Sequence, residues 1–204
     1  MISRVRSDIT FKNAIGEVEK MLELAQSPLT AETNPVGAKF MPYSGLLISR
    51  QSDWVLRAKG YSKYIWDFES SSSENFYGRY LSYGHIELSK LNSSMNSYSP
   101  SNVAWDWSYI PGTTAKYLTP SELSSQNNPD LHRNFSDEPF LGGVAFNNTI
   151  SVFANLLHDN TFDKGFYARK SVFQFDSIYT CLGSGIKNTS SNYFVHTTLF
   201  QNQK

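Results

Sequence analysis

Near the N-terminus, the hydrophobic pattern has the period of an amphipathic helix. Apolar side chains recur at three- and four-residue steps over residues 11–27, and mostly charged residues lie between them. Asp8 or Thr10 is suited to cap this helix, and Ser27-Pro28 is suited to end it. The pattern predicts one helix, followed over residues 28–42 by an exposed connection that contains three prolines.

From residue 43 onward, apolar and polar residues alternate in short runs, as they do along β-strands. Turn signals such as Asn147-Asn148 separate these runs at short intervals. The run 54–61 is one predicted strand, and further strands are predicted at 77–90, 113–118, 142–146, 150–157, 166–176, 178–183 and 193–200. Short strands with frequent turns indicate a mainly β chain, built as an antiparallel β-sandwich after one helix.

Composition and charge exclude some classes of protein. The chain has 204 residues, of which 40% are hydrophobic and 18% charged, so it has enough apolar material for a sizeable core and is not a disordered segment. The Lys+Arg and Asp+Glu counts are both 18, and the formal net charge is zero. A general nucleic-acid or membrane-surface binder would be basic, so a polyanionic partner requires a local basic patch.

Several kinds of site have no sequence signal. The apolar runs are too short for a membrane span, and the N-terminus shows no export signal. The four histidines lie far apart and outside any metal-binding spacing, and neither a phosphate-binding loop nor a Gly-x-Ser-x-Gly motif is present. A single cysteine excludes an internal disulfide, and we expect Cys181 to be a small buried residue.

The densest polar and aromatic cluster lies in residues 67–80. Four consecutive serines indicate a loop between two aromatic-rich segments, and loops often carry function. Glu69, Glu74, Asn75 and Arg79 are of the types that bind sugar hydroxyls and acids, while neighbouring tyrosines offer planes for sugar rings. A sugar cleft is one interpretation of this cluster, and a solvated hairpin loop is the other.

A second cluster contains paired tryptophans before a Pro-Gly turn. Strand-like alternation would place Trp105 and Trp107 on one face and Asp106 on the other. The two rings fit a stacking platform for a sugar, and they fit a hydrophobic core equally well. The residues alone therefore indicate a surface suited to binding a sugar, without a complete set of catalytic residues.

These motifs together resemble polysaccharide lyase family eight, with chondroitin ABC lyases as the nearest type. The similarity keeps one order across residues 53–201. It includes Asp53-Trp54, Lys59-Gly60-Tyr61-Ser62-Lys63-Tyr64-Ile65-Trp66, Asn75-x-Tyr77-Gly78-Arg79-Tyr80, Trp105-Asp106-Trp107, Ile110-Pro111-Gly112-Thr113-Thr114, Asp137-Glu138-x-Phe140-x-Gly142-Gly143, Ala168-Arg169-Lys170-Ser171, Cys181-Leu182-Gly183-Ser184-Gly185-Ile186 and Thr197-Thr198-Leu199-Phe200-Gln201.

The resemblance implies that residues 1–42 are the end of a helical domain with its linker helix. Residues 43–204 would then be the central β-sandwich, or supersandwich, of a glycosaminoglycan lyase. Such enzymes cleave uronic-acid polysaccharides by β-elimination, with a catalytic His and Tyr from a helical toroid. Glu69 matches the family's catalytic-site glutamate, and its implied role is to orient or charge-balance the cleft arginine or tyrosine.

Other site residues follow from the same resemblance. Arg4 matches the second arginine of a Gly-Arg-x-Ile-Ser-Arg motif, and the chain would then begin within that motif. Ser72 stands where the family usually has a substrate-binding Asn, and its hydroxyl lacks the bifunctional amide. The substrate-binding residues implied are Arg4, Ser72, Asn75, Arg79, Trp105 and Trp107.

The expected partners are chondroitin sulfate, dermatan sulfate or hyaluronan and the helical toroid, not nucleic acid or membrane. A divalent cation helps some family members, but no cofactor or metal ligand set is evident here. Family habit implies a secreted or periplasmic parent enzyme. The isolated chain is expected to be inactive, and the alternative is a non-catalytic carbohydrate-binding or structural module.

Overall fold

A computed structural model describes residues 12–26, 33, 35–70, 74–91, 105–124, 133–160 and 162–201. The chain divides into two compact units, residues 1–35 and 36–204. The first unit contains helix α1, Lys12–Gln26, which lies within the stretch predicted as helical. Across the described ranges, none of the helices combines the length and apolar character needed to cross a membrane.

The second unit is built from antiparallel sheets. Two sheets have four strands each, in the orders β1-β2-β3-β4 and β6-β7-β8-β9, and strands β10 and β5 form a third. The strands are β1 Gly37–Met41, β2 Leu46–Arg50, β3 Trp54–Lys59, β4 His85–Lys90, β5 Thr114–Lys116, β6 Leu141–Phe146, β7 Ile150–His158, β8 Tyr167–Phe175, β9 Ile178–Lys187 and β10 Val195–Thr197. A short helix, α2 (Pro120–Leu123), follows β5. The mainly β architecture is confirmed.

The two larger sheets pack face to face as a sandwich. Leu47, Leu56 and Ala58 from the first sheet form one buried cluster with Phe153 and Val172 from the second. Alternate residues along β7 are buried, as expected for a strand with one face against a core. A second cluster joins buried aromatic and aliphatic residues near the third sheet, namely Tyr61, Tyr80, Tyr83, Trp105, Ile110, Ala115, Leu118, Leu123, Leu157, Phe166 and Ala168.

A buried amide connects the two larger sheets. Gln174 on β8 is fully buried, and its Oε1 accepts hydrogen bonds from the hydroxyl of Ser49 at 2.8 Å and the hydroxyl of Ser151 at 2.7 Å. Its Nε2 donates to the carbonyl of Asp176 at 3.0 Å. These bonds satisfy polar atoms that would otherwise be costly to bury.

Two segments differ from the predicted elements. Residues 37–41 lie in the predicted connection, yet they form edge strand β1, because Phe40 packs on Phe153 and the backbone pairs with β2. The predicted strand 77–90 begins only at His85, since Gly78–Tyr80 is a 3₁₀ turn.

The β6–β7 hairpin has its turn at Asn147-Asn148, as predicted, whereas β9 is longer than predicted. Asn147 and Asn148 have φ of 49° and 59°, a left-handed conformation that asparagine tolerates. Strand β9 continues to Lys187, four residues beyond the end of the strand predicted at 178–183. Cys181 lies on this strand and is exposed, so the prediction of a buried cysteine is wrong.

Candidate functional site

Glu69 lies where two loop segments, far apart in the sequence, form hydrogen bonds with each other. The amide of Lys63 donates to the carbonyl of Glu138 at 2.9 Å, and the amide of Asp67 donates to the carbonyl of Asn134 at 2.9 Å. Glu69 and Arg133 then form an antiparallel bridge. Residues 63–69 and 133–138 are called the ribbon below.

The buried carboxylate of Asp67 fixes the ribbon from inside. It accepts hydrogen bonds from the amide of Phe68 at 2.6 Å and from the amide and side-chain nitrogen of Asn134, both at 3.1 Å. The hydroxyl of Ser82 donates to the carbonyl of Asp67. Burial raises the pKa of Asp67 to about 7, because desolvation of its charged form outweighs these hydrogen bonds.

Glu69 follows this anchor and is exposed to solvent. Its carbonyl accepts a hydrogen bond of 2.7 Å from Nδ2 of Asn75, which lies in a turn with φ of 53°. Gly78 allows this arrangement, because a Cβ there would lie 2.2 Å from Oδ1 of Asn75. The backbone of Glu69 is therefore held on two sides, while its carboxylate points away from the packed core.

Aromatic and charged side chains cover the outward side of the ribbon. Along 133–137, odd-numbered residues are exposed and even-numbered residues are buried, as in a strand. The guanidinium carbon of Arg133 lies 5.0 Å from the ring centroid of Trp66, and Phe135 meets Trp66 edge-on with centroids 6.3 Å apart. Trp66, Glu69, Arg133 and Phe135 are called the ribbon face below.

The paired tryptophans lie in a separate pocket. Trp105 is buried in the second core cluster, and Trp107 is partly buried against it, with its ring 6.2 Å from that of Tyr77. These three rings and Tyr117 line an open pocket of about 320 Å³. Asp106 lines the same pocket, so the predicted alternation is wrong there: residues 106–109 form a turn, not a strand.

Gln201 holds that turn in place. Its Oε1 accepts from the amide of Asp106 at 2.9 Å, and its Nε2 donates to the carbonyls of Asp106 and Tyr109 at 3.1 and 3.2 Å. Oδ1 of Asp106 accepts from the amide of Ser108 at 2.8 Å. The tryptophan pocket is thus supported by a residue near the end of the chain.

Arg79 lies in another cavity, of about 240 Å³. Its Nη2 is 3.3 Å from Oδ2 of Asp159, and its guanidinium carbon is 3.5 Å from the ring centroid of Phe162. Lys116 in the same cavity pairs with Asp163. Because both cations face carboxylates, this cavity offers little attraction for an anion, and substrate binding by Arg79 stays a prediction.

Two predicted site residues, Arg4 and Ser72, lie outside the described residues. Glu69 and Asn75 are brought together through their hydrogen bond, and Trp105 and Trp107 share one pocket. Within the described part of the chain, no group of three His, Cys, Asp or Glu side chains is placed to hold a metal ion.

Sequence reasoning missed Asp67, Asn134 and Arg133 as parts of this setting. Asp67 and Asn134 are neighbours only through the long-range pairing of the ribbon, which leaves no local pattern. Trp66 did carry a signal, since it belongs to the aromatic motif that ends the segment 59–66.

Comparison with known proteins decides the family. Residues 37–204 match the family model "Polysaccharide lyase family 8, super-sandwich domain". The chain belongs to polysaccharide lyase family 8. The resemblance drawn from the motifs is confirmed, and the antiparallel sheets described above are those of this family's sandwich domain.

Relatives and solved structures agree with this membership. The chain is 35% identical to a chondroitin sulfate ABC exolyase from Proteus vulgaris and covers 19% of it, with 85% of this chain aligned. It is 32% identical to a chondroitin sulfate ABC exolyase from Bacteroides thetaiotaomicron, covering 87% of this chain and again 19% of the relative. Thus this polysaccharide lyase family 8 chain spans about a fifth of the length of these relatives.

The fold is also that of solved lyases. A chondroitin AC lyase from Streptomyces coelicolor A3, in complex with chondroitin sulphate, matches with a TM-score of 0.69 and 20% identity. The match covers 91% of this chain and 24% of the other. A Paenibacillus xanthan lyase matches with a TM-score of 0.65 and 22% identity over 86% of this chain and 16% of the other.

Proposed function

We propose that this chain is the sandwich side of a glycosaminoglycan lyase, whose substrate is chondroitin sulfate or a related uronic-acid polymer. The observation that carries the proposal is the exposed carboxylate of Glu69 on a backbone fixed by Asn75 and by the bridge to Arg133. Membership in polysaccharide lyase family 8 and the names of the chondroitin-cleaving relatives support it.

The proposed reaction is β-elimination at a uronic acid. A base removes the proton at C5, the C4–O glycosidic bond breaks, and a double bond forms between C4 and C5. An acid protonates the leaving oxygen. Because the C5 proton becomes acidic only when the neighbouring carboxylate is neutralised, the reaction depends on cationic or hydrogen-bonding groups around that carboxylate.

In this scheme Glu69 orients and charge-balances a cationic or phenolic group across the cleft, and is not itself the base. A catalytic His and Tyr would come from a helical domain that these residues do not include. The chain alone therefore binds sugar at most, and elimination requires the helical partner. We also propose that the parent enzyme works outside the cytoplasm, where polymers of this size occur.

The test is a chimera. Residues 37–204 would replace the aligned segment of the Proteus vulgaris exolyase, and elimination on chondroitin sulfate would be followed by the ultraviolet absorbance of the unsaturated product. We expect activity from the chimera and none from the 204-residue chain alone. Glu69→Gln in the chimera should lower kcat by about 10²-fold, as loss of a preorganised electrostatic group does.

Asp176→Asn is the control, because it changes an exposed carboxylate in the turn between β8 and β9. It should leave kcat within about twofold, since surface substitutions away from the chemistry have small effects. Equal turnover for Glu69→Gln and the parent chimera would reduce Glu69 to a structural residue. Strong elimination by the isolated chain would contradict the proposed division between the two domains.

A second candidate function is a non-catalytic carbohydrate-binding module. The pocket lined by Tyr77, Trp105, Trp107 and Tyr117 favours it, because aromatic faces are offered without any contribution from another domain. A folded but inactive chimera, together with oligosaccharide binding by the chain that Trp107→Ala abolishes, would select this alternative.

A further inference from the structure

We propose that the ribbon face is a subsite for an acidic sugar, in which Arg133 binds a carboxylate or sulfate and the rings of Trp66 and Phe135 contact the sugar ring. This inference rests on the proposed function, because it names residues that would hold the same polymer. It assigns substrate binding to the sandwich itself and, with Arg133 and Phe135, to two residues outside the motifs that indicated the family.

The first observation is an unpaired guanidinium. Among the described residues, Arg133 forms no ion pair with a carboxylate, as is also true of Arg50 and Arg169, whereas Arg57 and Arg79 pair with Glu87 and Asp159. Its side chain instead lies over the ring of Trp66. Stacking of this kind leaves the in-plane N–H groups available, and their fork matches a carboxylate or sulfate.

The second observation is the arrangement around that guanidinium. Glu69 and Arg133 occupy directly paired positions of the bridge, so their side chains emerge on the same side of the ribbon. No salt bridge joins their side chains. An anion bound at Arg133 would therefore lie next to Glu69 on the same side of the ribbon.

The third observation is the exposure of the rings. Trp66 is 43% exposed and Phe135 is 41% exposed, although both are large aromatic residues. Trp, Phe and Arg are enriched at protein–protein interfaces, but acidic groups such as the exposed carboxylate of Glu69 are depleted there. That mixture fits a polar ring bearing an acid better than it fits the apolar surface of another domain.

The experiment measures binding of a chondroitin sulfate tetrasaccharide to the 204-residue chain by titration calorimetry. Trp66→Ala and Arg133→Gln should each weaken binding by about tenfold, the effect of losing a charge-assisted hydrogen bond or a stacked ring. Arg133→Lys should recover only part of the affinity, because the charge is kept and the fork is lost. A carboxyl-reduced, desulfated tetrasaccharide should bind the parent chain and Arg133→Gln equally weakly.

The chain provides a matched control pair. Trp54 on β3 is 37% exposed, and Lys90 on β4 lies 5.8 Å from its ring centroid. Trp54→Ala and Lys90→Gln remove a similar exposed ring and a similar stacked cation elsewhere, so they should leave the affinity unchanged. Unchanged affinity in Trp66→Ala and Arg133→Gln, or equal losses in the control pair, would overturn the subsite.

The chimera separates this inference from the proposed function. Arg133→Gln in the chimera should raise KM about tenfold with kcat little changed, as removal of a binding contact does. An active chimera in which Arg133→Gln alters neither constant would refute the subsite and leave the lyase function standing. An inactive chimera, with tetrasaccharide binding that still depends on Arg133, would refute the lyase function alone. No binding of the tetrasaccharide by the parent chain would overturn the subsite.

Discussion

Asp67 is expected to make folding stability depend on pH in an unusual direction. Its pKa rises from 3.8 to about 7 on folding, because the carboxylate is desolvated. Between about pH 4 and pH 7 the folded chain then holds a proton that the unfolded chain has lost. Stability therefore falls as pH increases across this range, by about 4 kcal/mol in total.

His85 on β4 opposes this trend. Desolvation lowers its pKa from 6.5 to about 4, so the unfolded chain binds a proton that the folded chain does not. Stability from His85 increases by about 3 kcal/mol between about pH 4 and pH 6.5. The contributions of Asp67 and His85 nearly cancel, and we expect the parent chain to show a shallow profile over this interval.

The substitution Asp67→Asn should leave the pH dependence of stability that His85 contributes. The asparagine cannot ionise, so the free energy of unfolding should rise with pH up to about pH 6.5 and then level off. At about pH 4 the variant should be less stable by about 1 kcal/mol, because the protonated carboxyl of Asp67 still presents an oxygen to Nδ2 of Asn134, whereas an amide would present its NH2 group there. The order should reverse at about pH 5, because the parent loses about 1.4 kcal/mol per pH unit above about pH 4, and by about pH 7 the variant should be more stable by about 3 kcal/mol.

Urea unfolding followed by tryptophan fluorescence, at several pH values from about 4 to about 8, would give both profiles by linear extrapolation. His85→Gln should show the opposite slope, and the double variant should be nearly flat. Asp53→Asn is the control, because Asp53 is exposed in a turn. Parallel profiles for the parent and Asp67→Asn would refute the reasoning, because they would mean that the carboxylate is not desolvated.

Three further outcomes test the packing. Gln174→Leu should lower the free energy of unfolding by about 1–3 kcal/mol in urea unfolding, because the buried hydroxyl of Ser151 loses its acceptor and that of Ser49 keeps only the hydroxyl of Tyr179; a loss below about 0.5 kcal/mol would contradict this. Trp105→Ala should cost about 3–5 kcal/mol by the same measurement and Trp107→Ala clearly less, and the reverse order would place Trp107 in the core. Cys181 should react with one equivalent of maleimide in the folded chain, as mass spectrometry would detect, and protection until denaturation would show that it is buried.

The strands were predictable because their signal is local. Alternation over β7 and β8, with paired asparagines between β6 and β7, identifies these elements from neighbouring residues alone. Edge strand β1 was missed because it begins at Gly37 and is followed by Pro42, and only pairing with β2 and contact with the second sheet make it a strand. The turn at Gly78–Tyr80 was missed because its neighbours are the aromatic residues typical of strands.

The candidate site depended on contacts that no local pattern encodes. The resemblance indicated Glu69, but the partners that hold its backbone come from the pairing of 67–69 with 133–134. The role of Asn75 as a donor to the carbonyl of Glu69 follows from a left-handed turn and from Gly78, and neither is evident without coordinates. A motif therefore identified the residue, whereas its orientation required the tertiary structure.

The ribbon places two opposite charges side by side without allowing them to neutralise each other. While the surface is wet, an exposed Glu69 and an exposed Arg133 lose little by remaining apart, since an exposed ion pair contributes at most about 1 kcal/mol. Covering the face with a sugar would exclude water and strengthen every remaining electrostatic interaction. Because Arg133 lies over Trp66 and not against Glu69, its N–H donors remain available when the sugar binds. The same arrangement leaves the large ring of Trp66 exposed.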